Sequence, residues 1–393
     1  MAYDAIVVGV GGMGASACMH LAARGRRVLG LERFALGHAH GSSHGGSRII
    51  RDCYFEHPNY VPLLLRCNHL WSRLEAEAGE RLVHRCGVLY MAHPGGVAVD
   101  RSHASGVAHG VPCERLTAAD ARRRFPQFVV PDDWNVLHEP NAGFVRPERA
   151  VLAHARVARA LGAEIREGER VLEWHASARG VEVRTDRARH AAAALVLCAG
   201  AWTPALAARM GVRWRVALRP LRVPLAWLAP RDRAACTAPA MPVWYAEPPD
   251  AAPVYGVPIA SDQGPPDGVK VAQHGGSTAA ECDPEARVRD PASAGGSAAE
   301  AEHLRAQVER VAPVCAGAVV AAGSCLYTMT PDQHFVVDLL PGHANVAVAC
   351  GFSGHGFKFS PVVGEILADL ATRGTTALPA GFLRATREIG AFS

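Results

Sequence analysis

The feature that most constrains this chain is Gly9-Val10-Gly11-Gly12-Met13-Gly14, set between an apolar run at residues 5–8 and an alanine- and leucine-rich stretch at 15–24. The run reads as a short buried strand and the stretch as a helix. Each glycine answers a separate need. Gly9 permits the tight bend, Gly11 lets backbone approach a pyrophosphate, and Gly14 lets helix and strand pack closely, while the helix N-terminus adds partial positive charge. After Gly25 a second strand, at 27–31, ends in Glu32, about 20 residues on, where a carboxylate holds a ribose hydroxyl. Strand, turn, helix and acid in register predict a dinucleotide-binding α/β unit. The motif alone leaves NAD and FAD open, and Glu32 disfavours the 2′-phosphate of NADP.

The other end of the chain carries Cys325-Leu326-Tyr327-Thr328-Met329-Thr330-Pro331-Asp332 and then Gly351-Phe352-Ser353-Gly354-His355-Gly356-Phe357-Lys358. Glycine-rich backbone can press against a ring system, and a cysteine can bond to one. A single cofactor site assembled from both chain ends is typical of flavoprotein oxidases. The apolar strand at 194–198, running into Ala199-Gly200-Ala201-Trp202, reads as a second strand-turn beneath an adenosine.

At 393 residues, 49% of them hydrophobic, the chain suits two domains with substantial cores. A formal charge of +4, without a basic run, argues against nucleic acid as a partner. Eleven cysteines without a CxxC pair, and a start directly in a strand with no charged-then-apolar leader, suit thiols in a reducing cytoplasm. No apolar run approaches the roughly 20 residues that span a bilayer. The predicted class is α/β: a Rossmann-type FAD-binding domain with a discontinuous, sheet-rich substrate-binding domain. The first is expected at residues 1–84, 141–214 and 321–393, the second at 85–140 and 215–320. The markers are a helix at 147–161, strands near 87–91, 163–166, 170–174, 181–184, 221–228 and 269–272, and surface loops at 262–268 and 292–297.

Three distant elements, Gly41-Ser42-Ser43-His44-Gly45-Gly46-Ser47-Arg48-Ile49-Ile50-Arg51, Cys325-Leu326-Tyr327-Thr328 and residues 351–359, together resemble the monomeric sarcosine oxidase and N-methyltryptophan oxidase family. The resemblance runs the whole length, through Tyr60-Val61-Pro62-Leu63 and Glu139-Pro140-Asn141-Ala142-Gly143. It implies a monomer that oxidises the secondary amine of a small amino acid to an imine, reduces oxygen to hydrogen peroxide, and holds FAD covalently through a cysteine sulfur on the ring's 8α-methyl.

Carried over by motif, Cys325 is the flavin-linking residue: a thiolate adds to the electrophilic methyl of an oxidised flavin, so the sulfur must be ionisable and close. Lys270 takes the oxygen-activating position, where a cation stabilises charge developing on oxygen. Arg51 and Lys358 match the pair that clamps the substrate carboxylate, the first as a planar fork and the second as a point charge. Arg48 lies against the flavin, and Tyr255, Tyr327 and His274 line the substrate cavity. Besides the glycine turn with Gly12 and Met13, the implied cofactor set holds Glu32, Arg33, Ser42, Ser43, His44 and Ile49. Val171, Gly200, Trp202, Phe352, Gly354, His355, Gly356, Phe357 and Lys358 complete it. His38, His40 and His44 share a glycine loop that lacks a helix or strand to orient them and has no accompanying carboxylate or thiol, so no metal site is expected; His44 and Ser47 are expected beside the flavin.

The chain departs from the family pattern in ways that blur the substrate. Ser43 and Asp52 stand where the family has histidines, and Met329 replaces a polar residue. Trp244-Tyr245 stands where a smaller side chain lines the pocket, which would shrink the cavity or stack against a cyclic imino acid such as a pipecolate or dehydropiperidine carboxylate. A flavin dehydrogenase that hands electrons to a protein acceptor is a further alternative. An NAD-dependent dehydrogenase would give Cys325 no role and the protein no colour. A flavoprotein that has lost turnover would be yellow but never bleach with amines.

Overall fold

The computed structural model describes residues 3–210, 212, 216–275, 279–290 and 295–390. Strand β1 (Tyr3–Val8) leads into helix α1 (Gly12–Ala23) and strand β2 (Val28–Leu31). The helix starts three residues before the expected position, because the glycine turn itself supplies its first turn with Gly11 as N-cap. β1 is the centre of an eight-stranded sheet, paired in parallel with β2 on one side and with Arg189–Leu197 on the other. His343–Cys350 joins Arg189–Leu197 in parallel, and Glu164–Arg166 extends β2.

Strands buried on both faces have no polar side to alternate with, and β1 shows this. Ala5 and Val7 join the core formed with α1 and the helices Pro147–Ala160 and Ser360–Arg373. Ile6 and Val8 join the opposite core with Leu195, Leu197, Trp174 and Val348.

A second sheet of nine strands contains Val88–Ala92, Asn135–Glu139, Arg219–Leu228, Val243–Glu247, Val254–Val257 and Val269–Gln273. Helix Ala298–Val311 covers one face, burying Ala301, Leu304 and Val308 with Ala226, Leu228, Val269 and Val271. Its N-terminus carries a complete capping box from Ser297 and Glu300. The expected loop at 292–297 lies partly outside the described residues, at Ala292, Ser293 and Ala294; Gly295 makes a bridge to Gly323.

The expected domain boundary at residue 321 falls inside a strand. Val319–Met329 pairs antiparallel with Arg219–Leu228 through ten partners, so Cys325 belongs to the second sheet. Pairing with a strand about a hundred residues earlier leaves no local trace in composition, and the chain rejoins the first sheet only at Val336–Leu340. A small third sheet of Arg48–Ile50, Val83–Arg85 and Gly143–Val145 lies at the seams expected near 84 and 141.

Candidate active site

One continuous cleft runs from Val8, Gly9 and Glu32 to Cys325, Arg51 and Lys358. At its first end the glycine turn is built by close approach. A Cβ on Gly14 would sit 1.8 Å from the Gly9 carbonyl oxygen, so helix and strand meet backbone to backbone; beside Gly11 the nearest atom, Ser43 Oγ, is 3.5 Å away, which leaves that flank open. Glu32 is 4% exposed, and its two oxygens accept from the backbone N–H of Val10 at 2.8 Å and of Phe34 at 3.0 Å. The acid that sequence spacing assigned to a ribose therefore also ties β2 to the turn.

The loop after β2 is pinned from two directions. Glu148, at the start of helix Pro147–Ala160, accepts from Gly45 N at 2.6 Å and Gly46 N at 3.0 Å. Ser42 Oγ donates to Leu326 O at 2.6 Å, which holds the loop against the Cys325 strand. Arg48 Nη2 then reaches Ser42 O at 2.8 Å and Cys325 Sγ at 3.1 Å. Tyr255 and Tyr327 line the same end, where burial raises both phenols.

Strand alternation decides which residues of the second sheet face the cleft. In Val269–Gln273, Val269 and Val271 enter the core under helix Ala298–Val311, while Ala272 packs with Cys325 and Leu225 on the other face. Lys270 shares that second face. Its Nζ donates to Ser47 O at 2.8 Å; Ser47 lines the cleft, and Lys270 sits behind it. Burial, then Arg48, pushes the Lys270 ammonium well below its ordinary range.

The same alternation corrects the expected Trp244-Tyr245 wall. Tyr245 lines the cleft, its ring 5.2 Å from Phe55. Trp244 points the opposite way and is fully buried in the second core, 6.0 Å from Phe128. A strand cannot present two consecutive side chains to one face.

Beyond Cys325 the cleft closes over two cations. Arg51 and Lys358 are 6% and 5% exposed, and both lie over the Tyr54 ring, at 4.2 Å and 5.1 Å. Arg51 is also 4.2 Å from the Phe55 ring. Burial pushes the Lys358 ammonium down to about 7, with Arg51 adding to the fall and Glu56 opposing it. Lys358 Nζ donates to His355 O at 2.7 Å. His355 is fixed as the neutral Nε2–H tautomer: Nε2 donates to Gln333 O at 2.9 Å, Nδ1 accepts from Tyr54 OH at 2.6 Å, and burial lowers the imidazole to about 3.

Glu56 was not anticipated. Burial would raise its carboxyl, but Arg51, His355 and Lys358 outweigh that and hold it near 2. Its Oε1 pairs with Arg51, while Oε2 is buried with no hydrogen-bond partner among the described residues. No motif marks a lone glutamate five positions after an arginine; the turn of the chain at 51–56 brings it back.

Most of the expected residues meet in this cleft. Met13, Arg33, Ser42, Ser43, Ile49, Val171, Gly200, Trp202, His274 and the run Phe352, Gly354, His355, Gly356, Phe357 all line it. Gly14, His44 and Lys270 do not. Gly14 lies under the turn, and His44 is buried with Nε2 unpartnered among the described residues and its imidazole lowered by burial, then by Arg48. His38 instead approaches Glu32, Nε2 to Oε1 3.4 Å. The Glu32 end of the cleft also includes Arg170, Arg209 and Glu285, which no sequence motif singles out.

The residues fit an extended dinucleotide with a ring system at the Cys325 end. The turn is open beside Gly11, and next to it Gly12 N donates to Ser43 Oγ at 3.1 Å. Trp202 Nε1, on the wall, is buried without a partner among the described residues. A Cβ on Gly354 would lie 2.2 Å from Tyr327 Cε2, so the tail backbone presses directly on the site. No group of three or more His, Cys, Asp or Glu among the described residues is arranged to hold a metal, and none of the described helices is long and apolar enough to cross a membrane.

The sequence profile of the FAD dependent oxidoreductase family matches residues 4–370. A monomeric sarcosine oxidase of Streptomyces avermitilis is 42% identical over 381 residues, 96% of each chain. An N-methyl-L-tryptophan oxidase of Salmonella dublin is 33% identical over 377 residues, again 96% of each. Among solved structures, the open form of NikD, an unusual amino acid oxidase essential for nikkomycin biosynthesis, matches with a TM-score of 0.80 and 27% identity over 97% of each chain.

Proposed function

This chain belongs to the FAD dependent oxidoreductase family, and we propose that it oxidises the secondary amine of a small amino acid to an imine, with oxygen reduced to hydrogen peroxide. The observation that carries the reading is the convergence of Arg51 and Lys358, two buried cations over one tyrosine ring, at the ring end of the cofactor cleft. Glu56 balances one of the two buried cations; the positive charge left over calls for an anionic ligand, and a carboxylate fits a guanidinium fork beside a point charge.

FAD, when bound, supplies the two-electron acceptor for the C–H bond next to nitrogen and passes the pair to oxygen. The chain's own residues do the rest. Arg51 and Lys358 orient the carboxylate so that the amine lies toward Cys325. The surrounding positive charge and burial favour the neutral amine over the ammonium, so the substrate sheds its proton on entry without a dedicated base. Arg48 polarises the Cys325 sulfur for attachment of the flavin methyl. Lys270, behind Ser47, places a titratable cation where negative charge develops during the reaction with oxygen. The imine product is released to water and hydrolyses there. Eleven free thiols agree with a reducing, cytoplasmic setting, and in this reading the monomer carries the complete site.

A ring-bearing substrate is favoured within this chemistry by the Phe55–Tyr245 wall facing the clamp. Oxygen uptake and peroxide release would be measured with sarcosine, N-methyl-tryptophan, pipecolate and proline. Amine-dependent peroxide is expected from at least one of them. Oxygen consumption unaffected by every amine, in a protein that holds FAD, would remove the proposal.

A further inference from the structure

The short helix Pro284–Arg289 follows strand Ala280–Glu281 of the second sheet, yet its side chains grip the nucleotide half of the molecule. Asp283 caps it, accepting from Glu285 N at 2.9 Å. Glu285 then accepts a two-point fork from Arg33, Nη1 to Oε1 2.6 Å and Nη2 to Oε2 3.0 Å, with Arg170 Nη2 at 3.4 Å from Oε1. Arg33 immediately follows Glu32, and Glu285, Arg33 and Arg170 all border the cleft at that end.

Two residues on, Arg287 is 5% exposed. Its Nη1 donates to Ser324 Oγ at 2.6 Å, and its Nη2 to Ser324 O at 2.9 Å and Ala39 O at 3.2 Å. Ser324 adjoins Cys325, and Ala39 lies in the loop that follows Arg33. One turn of helix therefore bridges the acid end of the cleft, the loop over its middle and the strand of the linking cysteine. Nothing in the amine chemistry calls for Glu285, which stands at the end of the cleft away from Arg51 and Lys358.

We propose that Pro284–Arg289 is a latch over the adenosine end of the cofactor cleft. The Arg33–Glu285 fork is its catch and Arg287 its anchor; the dinucleotide passes in or out only when the catch opens. This rests on the FAD reading of the cleft. A two-point arginine–carboxylate pair holds one geometry better than a single contact does, and its two side chains are only 22% and 23% exposed, so it is partly shielded from salt. A latch has a signature that a mere contact lacks. Losing a contact speeds only the departure of the ligand, whereas losing a latch speeds arrival as well.

The test uses Cys325→Ser, so that only non-covalent contacts retain FAD. Loss is followed by flavin fluorescence on dilution, and uptake by its quenching when FAD is added to stripped protein. Adding Glu285→Ala, or independently Arg33→Ala, is expected to raise both rates by about tenfold; Glu285→Gln, which keeps the shape but loses the charge, falls between. Unchanged rates in both Ala variants, or faster loss without faster uptake, would overturn the latch. A Cys325→Ser parent that takes up no FAD at all would instead overturn the cofactor reading, and the latch with it.

Discussion

Arg51 Nη2 lies 2.5 Å from Glu56 Oε1, so one of the two cations proposed to hold a substrate carboxylate is already paired with a carboxylate of the chain. Breaking a buried pair by removing one partner leaves an uncompensated charge. Here that uncompensated charge is the binding group. Glu56 therefore keeps Arg51 stable in the empty site and competes with the substrate for it. Glu56→Gln is expected to tighten binding of a simple carboxylate such as acetate by about tenfold, equivalent to about 1.4 kcal/mol. The measurement is a titration of the flavin spectrum with acetate. Unchanged or weaker binding would mean that Glu56 orients Arg51 instead of competing for it.

Lys358 gives the site a pH dependence whose sign follows from its lowered value. With an ammonium near 7, the cation is present below that pH and lost above it. A bound carboxylate favours the charged form, so its binding weakens by up to about tenfold per pH unit above that value. Lys358→Met should bind weakly throughout and flatten this dependence. A profile of the same slope in the variant would assign the titration to another group.

Cys325→Ser should bind FAD but release it when the protein is unfolded in acid, whereas the unmodified chain should keep the yellow colour on the polypeptide. Arg48→Met should slow attachment, since it removes the guanidinium that donates to the sulfur at 3.1 Å. Mass spectrometry of the Cys325 peptide measures both. Attachment at another residue, or none in the unmodified chain, would reject the linkage.

Lys270→Met separates the two halves of the reaction. Reoxidation of the reduced protein by oxygen is expected to fall by about 100-fold or more, on the scale of losing one preorganised charge, while reduction by amine changes little. Stopped-flow mixing of amine-reduced protein with oxygen reads this directly. A variant that reoxidises at the original rate would take Lys270 out of the oxygen step.

What could be read from the sequence follows from how local each requirement is. The 9–14 turn is legible because close backbone approach excludes side chains over a few consecutive residues, and Glu32 because one strand separates it from the turn. Lys270 and Tyr245 need only the two-residue period of a strand, and the same period turns Trp244 into the second core, away from the expected wall. Glu56 and Glu285 were invisible for a different reason. Their partners, Arg51 across a turn and Arg33 at 252 residues' separation, are set by tertiary packing that no local pattern records. The boundary at 321 failed in the same way, since the Cys325 strand is defined by its partner in Arg219–Leu228.

In the proposed reaction, Arg51 and Lys358 present an amino-acid amine to a flavin at Cys325. Anaerobic mixing of the purified protein with sarcosine, N-methyl-tryptophan, pipecolate and proline, followed by visible absorption, tests it most directly. At least one of them is expected to bleach the yellow flavin, and Arg51→Met with Lys358→Met to abolish the bleaching. Bleaching that is equally fast in the double variant would contradict the clamp, and a protein purified without flavin would contradict the cofactor site itself.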